Sequence, residues 1–156
     1  DEKLSPEHNF GISKLFFENL ILRTHPNSII IRLSNVFGPG EQKNITALNS
    51  WISDATDGKD LEVWGSGQRR VQYIHIQDVL EFILKAKNLQ AGIYNLGGDD
   101  YPSMLELANK LAGIFNVQVK LLEDKKDGEQ LAFMQTNKYQ HDFKFPLGIA
   151  LEEYKK

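Results

Sequence analysis

The sequence predicts an α/β fold, and three observations carry that reading. Short branched and aromatic runs alternate with longer helical patterns up to about residue 122, the arrangement that builds a sheet with helices packed on it. Ile29-Ile30-Ile31 is an unbroken branched run, which fits a strand covered on both faces in a parallel sheet. No Gly-x-Gly-x-x-Gly or Gly-x-x-Gly-x-x-Gly opens a βαβ unit in the 156 residues. The phosphate-gripping half of a dinucleotide-binding fold is therefore not expected in this chain.

The elements follow in order. A first helix is expected over residues 6–23, with Ser5 as N-cap and Pro6 at the first helical position, where a missing N–H costs nothing. Its apolar residues, Phe10, Leu15, Phe16, Phe17, Leu20, Ile21 and Leu22, cover more than one stripe, which predicts burial on two sides. His25-Pro26-Asn27 ends it, because the residue before a proline avoids the helical region. Residues 28–36 read as one strand, followed by the loop Gly38-Pro39-Gly40-Glu41. A helix over 45–56, a strand over 61–64, the turn Gly65-Ser66-Gly67 and a strand over 71–76 come next. Asp78 is placed as N-cap of a helix over 79–87, since a short carboxylate accepts from the first free amides. A strand over 93–96 runs into Gly97-Gly98, and Ser103 caps a helix over 104–115. A strand over 117–122 and a charged, mobile loop over 124–128 follow. The tail holds one short helical turn at 137–143 and another after Gly148.

Composition narrows the function classes. The length is typical of one domain and is enough to bury a real core. A formal net charge of -3 argues against a nucleic-acid or anionic-membrane surface. The absence of cysteine removes disulfides and thiolate metal sites and fits a reducing compartment. No apolar run approaches the roughly 20 residues a membrane helix needs. Asp1-Glu2-Lys3 does not resemble a signal peptide. The expectation is a soluble cytoplasmic protein with no metal site, no nucleic-acid partner and no membrane partner.

Four stretches carry candidate chemistry. Phe10 and Lys14 lie four apart on the first helix and share a face. Taken alone, they read as a core aromatic and a solvated lysine. Arg32-Leu33-Ser34-Asn35-Val36-Phe37-Gly38-Pro39-Gly40 closes a strand, where ligands bind in open α/β sheets. Asn35 offers both a donor and an acceptor there. The third stretch runs from Val63 through Gly65-Ser66-Gly67, Arg69-Arg70 and Tyr73-Ile74-His75-Ile76 to Asp78-Val79. A planar guanidinium suits phosphate. His75 reads as a packed strand histidine. The fourth, Gly92-Ile93-Tyr94-Asn95-Leu96-Gly97-Gly98, reads as scaffold.

In that order these stretches resemble the carboxyl-terminal half of the extended short-chain dehydrogenase/reductases, the NAD-dependent epimerases and dehydratases of nucleotide sugars. The likeness is good over residues 5–123 and loose beyond. It implies the carboxyl-terminal part of a Rossmann-like parallel sheet plus a small α/β substrate-binding domain. Residues 1–40 would be the remnant of the dinucleotide-binding domain. Residues 41–156 would be mostly substrate-binding domain, with some segments returning to the sheet.

By the same resemblance, position 10 is the catalytic tyrosine position, here Phe10, and Lys14 is the lysine that lowers its pKa and bonds the nicotinamide ribose. A free phenol titrates at about 10, and a nearby cation favours the phenolate. Phe10 has no proton to give. Asn35 would contact substrate, and the loop at Pro39 would lie near the nicotinamide. The pyrophosphate arginine falls on Val71 and the following aspartate on Gln72, so Arg70 or Arg69 would have to reach the phosphate after a local shift. The arginine that often holds nucleotide phosphate before the last strand has no counterpart in 127–134.

The expected function is thus a fragment of an NAD- or NADP-dependent nucleotide-sugar epimerase or dehydratase, among isomerase, lyase or oxidoreductase activities. The chain alone is expected to be inactive and to bind no cofactor tightly. Self-association, or a second chain supplying the missing half, is expected from the uncovered edge and apolar faces. The alternative is a catalytically disabled homologue serving as a nucleotide-sugar binding or assembly module. An unrelated α/β interaction domain is a third reading, disfavoured by four ordered motifs.

Overall fold

The first organising event is a strand that changes partner midway. In the computed structural model, which describes residues 6–40, 46–135 and 143–155, the isoleucine run forms β1 (Ile29–Leu33) and the chain resumes at once as β2 (Asn35–Phe37). β1 pairs in parallel with β5 (Gly92–Leu96), and β2 pairs in parallel with β4 (Tyr73–His75). The expected single strand over 28–36 is therefore two. Ser34 N still donates to the Leu96 carbonyl at 3.2 Å, while Asn35 N already donates to the Gln72 carbonyl at 3.2 Å. β5 departs through Gly97 and Gly98 as β4 enters. A Cβ on Gly98 would lie 2.2 Å from the Tyr73 carbonyl oxygen, so only glycine fits that approach.

Helices cover these strands and build two cores. The helix α1 (Asn9–Thr24) leads into β1, and the Glu18 carboxylate accepts from Arg32 Nε at 2.9 Å and also from Nη2. α3 (Ile76–Ala86) places Val79 and Phe82 against Ile74, Tyr94 and Leu96 in the smaller core. The larger core joins α2 (Ala47–Thr56), β3 (Leu61–Trp64), α4 (Met104–Phe115) and α5 (Leu147–Glu152) around Leu48, Leu61, Leu107, Leu111 and Leu151. β3 pairs in parallel with β6 (Val119–Leu122). Trp51 Nε1 donates to the Glu62 carbonyl at 2.9 Å and fastens α2 to β3. Among the described residues no helix is long and apolar enough to cross a membrane.

Several boundaries differ from the sequence reading, each for a local reason. α1 begins at Asn9 with His8 as an N-cap lacking a side-chain bond; Ser5 lies outside the described residues, and Pro6 instead packs over Gly11. None of its residues is buried, against the two-sided burial expected: Phe10 is 75% exposed and Phe16 61%. α2 starts at Ala47 behind Thr46, and Ile45 lies outside the described residues. Of the strand expected over 71–76 only the middle pairs, because Val71 N is already taken by the Pro102 carbonyl and Ile76 opens α3. β6 starts two residues later than expected. The helical turn at 137–143 falls almost wholly outside the described residues, whereas the one near Gly148 is α5.

α4 matches the expectation end to end. Ser103 Oγ accepts from Glu106 N at 3.1 Å, and the Glu106 carboxylate accepts from Ser103 N at 2.7 Å. This reciprocal pair satisfies two amides that the helix cannot satisfy itself. Asn116 closes the helix in the left-handed region, at φ 59°. Replacing Ser103 by Ala is expected to lower folding stability by about 1 kcal/mol, read as a shift of the urea midpoint with an unchanged slope.

Candidate functional site

The turn after β3 opens a groove. Gly65 and Gly67 take φ values of 67° and 68°, a region costly for side-chain-bearing residues. The turn points the amides of Ser66 and Gly67 at one spot, where the Asp127 carboxylate accepts from Ser66 N at 3.0 Å, Ser66 Oγ at 2.7 Å and Gly67 N at 3.3 Å. These bonds, led by the Ser66 hydroxyl, hold the Asp127 carboxyl below its ordinary value, helped by the Arg69 charge. The expected mobile loop over 124–128 is thus pinned at Asp127. Sequence reading missed this contact because its partners lie about sixty residues away.

Beside the turn lies a groove of about 830 Å³ between α2 and β3, with Ser50, Trp64, Arg69, Lys126 and Asp127 among its lining. The indole of Trp64 is 60% exposed. Here the two adjacent arginines separate. Arg69 lines the groove, and its Nε donates to the Glu129 carbonyl at 2.7 Å. Arg70 does not line the groove; its Nη1 donates to the Tyr101 carbonyl at 2.8 Å and stands 3.5 Å from the Glu106 carboxylate.

Gln72, unassigned in the sequence reading beyond its mismatch, is buried and fully used. Its Nε2 donates to the carbonyls of Gly98 and Met134, and its Oε1 accepts from Met134 N at 2.9 Å. Asn35 stands directly opposite Tyr73 in the β2–β4 register, and its Nδ2 donates to the Gln72 carbonyl at 3.2 Å. Burial pushes the Tyr73 phenol up to about 12 against the opposing Arg69 charge. That phenol is neutral near pH 7.

Phe10 and Lys14 lie side by side on α1. Lys14 Nζ lies 5.2 Å from the centroid of the Phe10 ring, a cation–π distance. Among the described residues no hydrogen bond or ion pair joins Phe10 or Lys14 to Asn35, Pro39, Arg69 or Arg70. Pro39 is exposed, and the preceding Gly38 is pressed so close to α3 that a Cβ would lie 2.3 Å from Ile76 Cγ2. The structure therefore brings Asn35 and the Gln72–Tyr73 step together, sets Arg69 toward the groove, and leaves Phe10 and Lys14 on an open helix face. Among the described residues no group of three or more His, Cys, Asp or Glu is placed to hold a metal.

His75 corrects the capping assignment. Its Nδ1 accepts from Gln77 N at 3.4 Å, so His75 and not Asp78 is the N-cap of α3. Asp78 is buried in the first turn, where its carboxylate accepts from Lys144 N at 3.0 Å. The imidazole is 1% exposed, stacked on Phe145 at 4.8 Å and edge-on to Phe37 at 5.2 Å.

The sequence matches the NAD dependent epimerase/dehydratase family over residues 1–97. A dTDP-4-dehydro-6-deoxy-D-allose reductase of a Streptomyces species is 24% identical, over 94% of this chain and 49% of its own length. A dTDP-glucose 4,6-dehydratase of Escherichia coli is 25% identical, over 94% of this chain and 42% of its own. The solved dTDP-glucose 4,6-dehydratase of Bacillus anthracis, in complex with NAD, superposes with a TM-score of 0.82 at 18% identity, over 99% of this chain and 53% of its own. A tyrosine-to-phenylalanine variant of UDP-glucuronic acid 4-epimerase from Bacillus cereus, in complex with UDP-4-deoxy-4-fluoro-glucuronic acid and NAD, gives 0.81 at 24% identity, covering 55% of its chain. The chain spans about half the length of these proteins. At such identities the structural likeness carries the fold, and it bears out the Rossmann-like α/β class expected from the sequence.

Burial lowers the His75 pKa, and the nearby Glu153 and Asp78 charges oppose the shift only in part. The unfolded ring, at about 6.5, therefore takes up a proton at a higher pH than the folded one. The stability contributed by neutral His75 is complete above that value and is lost as pH falls through the lowered folded-state value. The denaturation midpoint is expected to drop between pH 7 and pH values below 6, and His75→Asn, which can cap without titrating, is expected to flatten that part of the profile.

Proposed function

The chain belongs to the NAD dependent epimerase/dehydratase family, and we propose that it supplies the nucleotide-sugar-gripping part of an enzyme of that family. The complete enzyme would oxidise a sugar hydroxyl by hydride transfer to NAD or NADP and then epimerise, eliminate or reduce. The observation that carries the reading is Arg69 in the groove beside Trp64. A guanidinium presents five N–H donors, and the hydrogen bond of Arg69 to the Glu129 carbonyl uses only Nε. The remaining donors suit a diphosphate. The exposed Trp64 offers a flat face for a nucleobase, and Ser50, whose hydroxyl donates to Asp54 at 3.4 Å, offers its oxygen as an acceptor for a sugar or ribose hydroxyl. Asn35 retains its side-chain oxygen for a substrate hydroxyl, since its bond to the Gln72 carbonyl spends only Nδ2. Relatives named for dTDP-sugar and UDP-sugar chemistry support the same substrate class.

The residues present do not make a complete NAD site. No glycine-rich phosphate turn occurs in the sequence, Phe10 carries no exchangeable proton, and Lys14 lies over the Phe10 ring. Lys14 alone suits the cofactor, through a ribose hydroxyl. This chain by itself is therefore read as turning nothing over, with no hydride step assigned to it. The apolar residues left open on α1 support a complement, either a second copy or a chain bearing the glycine-rich half. The lack of cysteine suits a cytoplasmic setting.

A second reading, a disabled homologue retained for nucleotide-sugar binding or assembly, is favoured by the internal use of Gln72. Where the family's block reads aspartate, this chain spends the side chain on its own backbone. Both readings require sugar nucleotides to bind. Calorimetry with UDP-, GDP- and dTDP-sugars is expected to show binding that Arg69→Ala weakens about tenfold or more, the scale of a lost charge-assisted bond. Arg70→Ala is expected to change it little, and equal losses for the two variants would refute the assignment. Phe10→Tyr is expected to leave the isolated chain unable to reduce NAD, measured at 340 nm; NADH formation by that variant alone would contradict the need for a complement.

A further inference from the structure

Three consecutive residues act together at the groove. Asp127 seats its carboxylate in the amides of Ser66 and Gly67. Gly128 lies against the Arg69 guanidinium so closely that a Cβ would come within 2.8 Å of Nη1 and 3.1 Å of Cζ. Glu129 presents its carbonyl to Arg69 Nε at 2.7 Å. Residues 125–130 have no regular helix or strand of their own, so their place is set by what their side chains and carbonyls grip.

We propose that Asp127 is a positioning residue: by fastening to the Gly65–Gly67 turn it fixes residues 128 and 129 as the bed that presents the Arg69 guanidinium to the groove. The order of contacts supports this. The buckle precedes the bed by one residue, while Gln130 ties the bed's far end to Arg70 N at 2.9 Å and to the Tyr101 hydroxyl, so Asp127 governs the near end, where Gly128 meets the guanidinium. A carboxylate is suited to the role because it accepts three bonds at one point, from two amides and a hydroxyl. The functional consequence rests on the reading of Arg69 as the phosphate grip; the positioning itself does not.

The test uses nitrogen-15 NMR of the Arg69 Nε–H, which needs no nucleotide, together with calorimetry against UDP and dTDP. Asp127→Ala is expected to abolish the exchange protection of the Arg69 Nε–H, with Asp127→Asn restoring part of it. Gly128→Ala, which leaves Asp127 intact and meets only the far end of Arg69, is expected to shift the same signal. Asp127→Ala should weaken UDP and dTDP binding by the same factor as Arg69→Ala, about tenfold, and the double variant should lose no more than either. An unchanged Nε–H in Asp127→Ala overturns the proposal. So does tighter binding in that variant, which would make Asp127 a competitor for the ligand's phosphate. Loss of the Nε–H protection with UDP and dTDP affinity unmoved by Arg69→Ala upholds the positioning and removes the phosphate reading instead.

Discussion

The rest of the structure depends on the exchange of backbone partners between Ser34 and Asn35. One amide still bonds to β5 and the next already bonds to the chain entering β4. That single step binds three distant stretches into one framework: residues 29–37, 72–75 and 92–98. Glycine at 98 is part of the same constraint, since the Tyr73 carbonyl occupies the place a side chain would need. Arg69 reaches the groove from this framework. β4 is held by β2, the segment before β4 carries Arg69, and the end of β4 supplies the ring that caps α3.

Charge is distributed by geometry more than by sequence. Arg69 and Arg70 are neighbours of the same type, yet one side chain lines the groove and the other reaches Tyr101 and Glu106. The carboxylates divide in a similar way. Glu106 spends itself on a helix cap, Asp78 on the amide of Lys144, Asp100 on the amide of Leu147, and Asp127 on the Gly65–Gly67 turn. Asp78 and Asp127 each tie an otherwise irregular segment to the framework, and Asp100 holds the first residue of α5. The later part of the chain is thus held substantially by side chains gripping backbone.

This explains what was legible beforehand. α4 is placed by Ser103 as N-cap because a cap is written beside the helix it starts, and the structure adds Glu106 as the other half of a capping box. β3 and the isoleucine run were visible for the same reason: their pattern is local. The split at Ser34 was not, because it depends on which strands arrive from forty and sixty residues away. The cap of α3 went to Asp78 by residue type, whereas burial of His75 between Phe37 and Phe145 aims Nδ1 at the helix. At the site, the motifs pointed to Asn35 and to an arginine pair, but only packing distinguishes Arg69 from Arg70. Asp127 had no local signal at all. The apolar residues of α1 predict burial on two sides, whereas none of them is buried among the described residues, because nothing packs on those faces here.

The side-chain amide of Gln72 behaves as a spare piece of main chain. It offers one donor end and one acceptor end, as a peptide group does, and it exchanges both with Met134. A segment without its own strand is thereby given a rung to hang on, across a separation of 62 residues. Contacts that close such long loops form at greater entropic cost than a helix cap. The rung between Gln72 and Met134 is therefore completed by the whole chain and not by any neighbourhood within it. Helical content, which is set locally, is a poor gauge of whether that rung has formed.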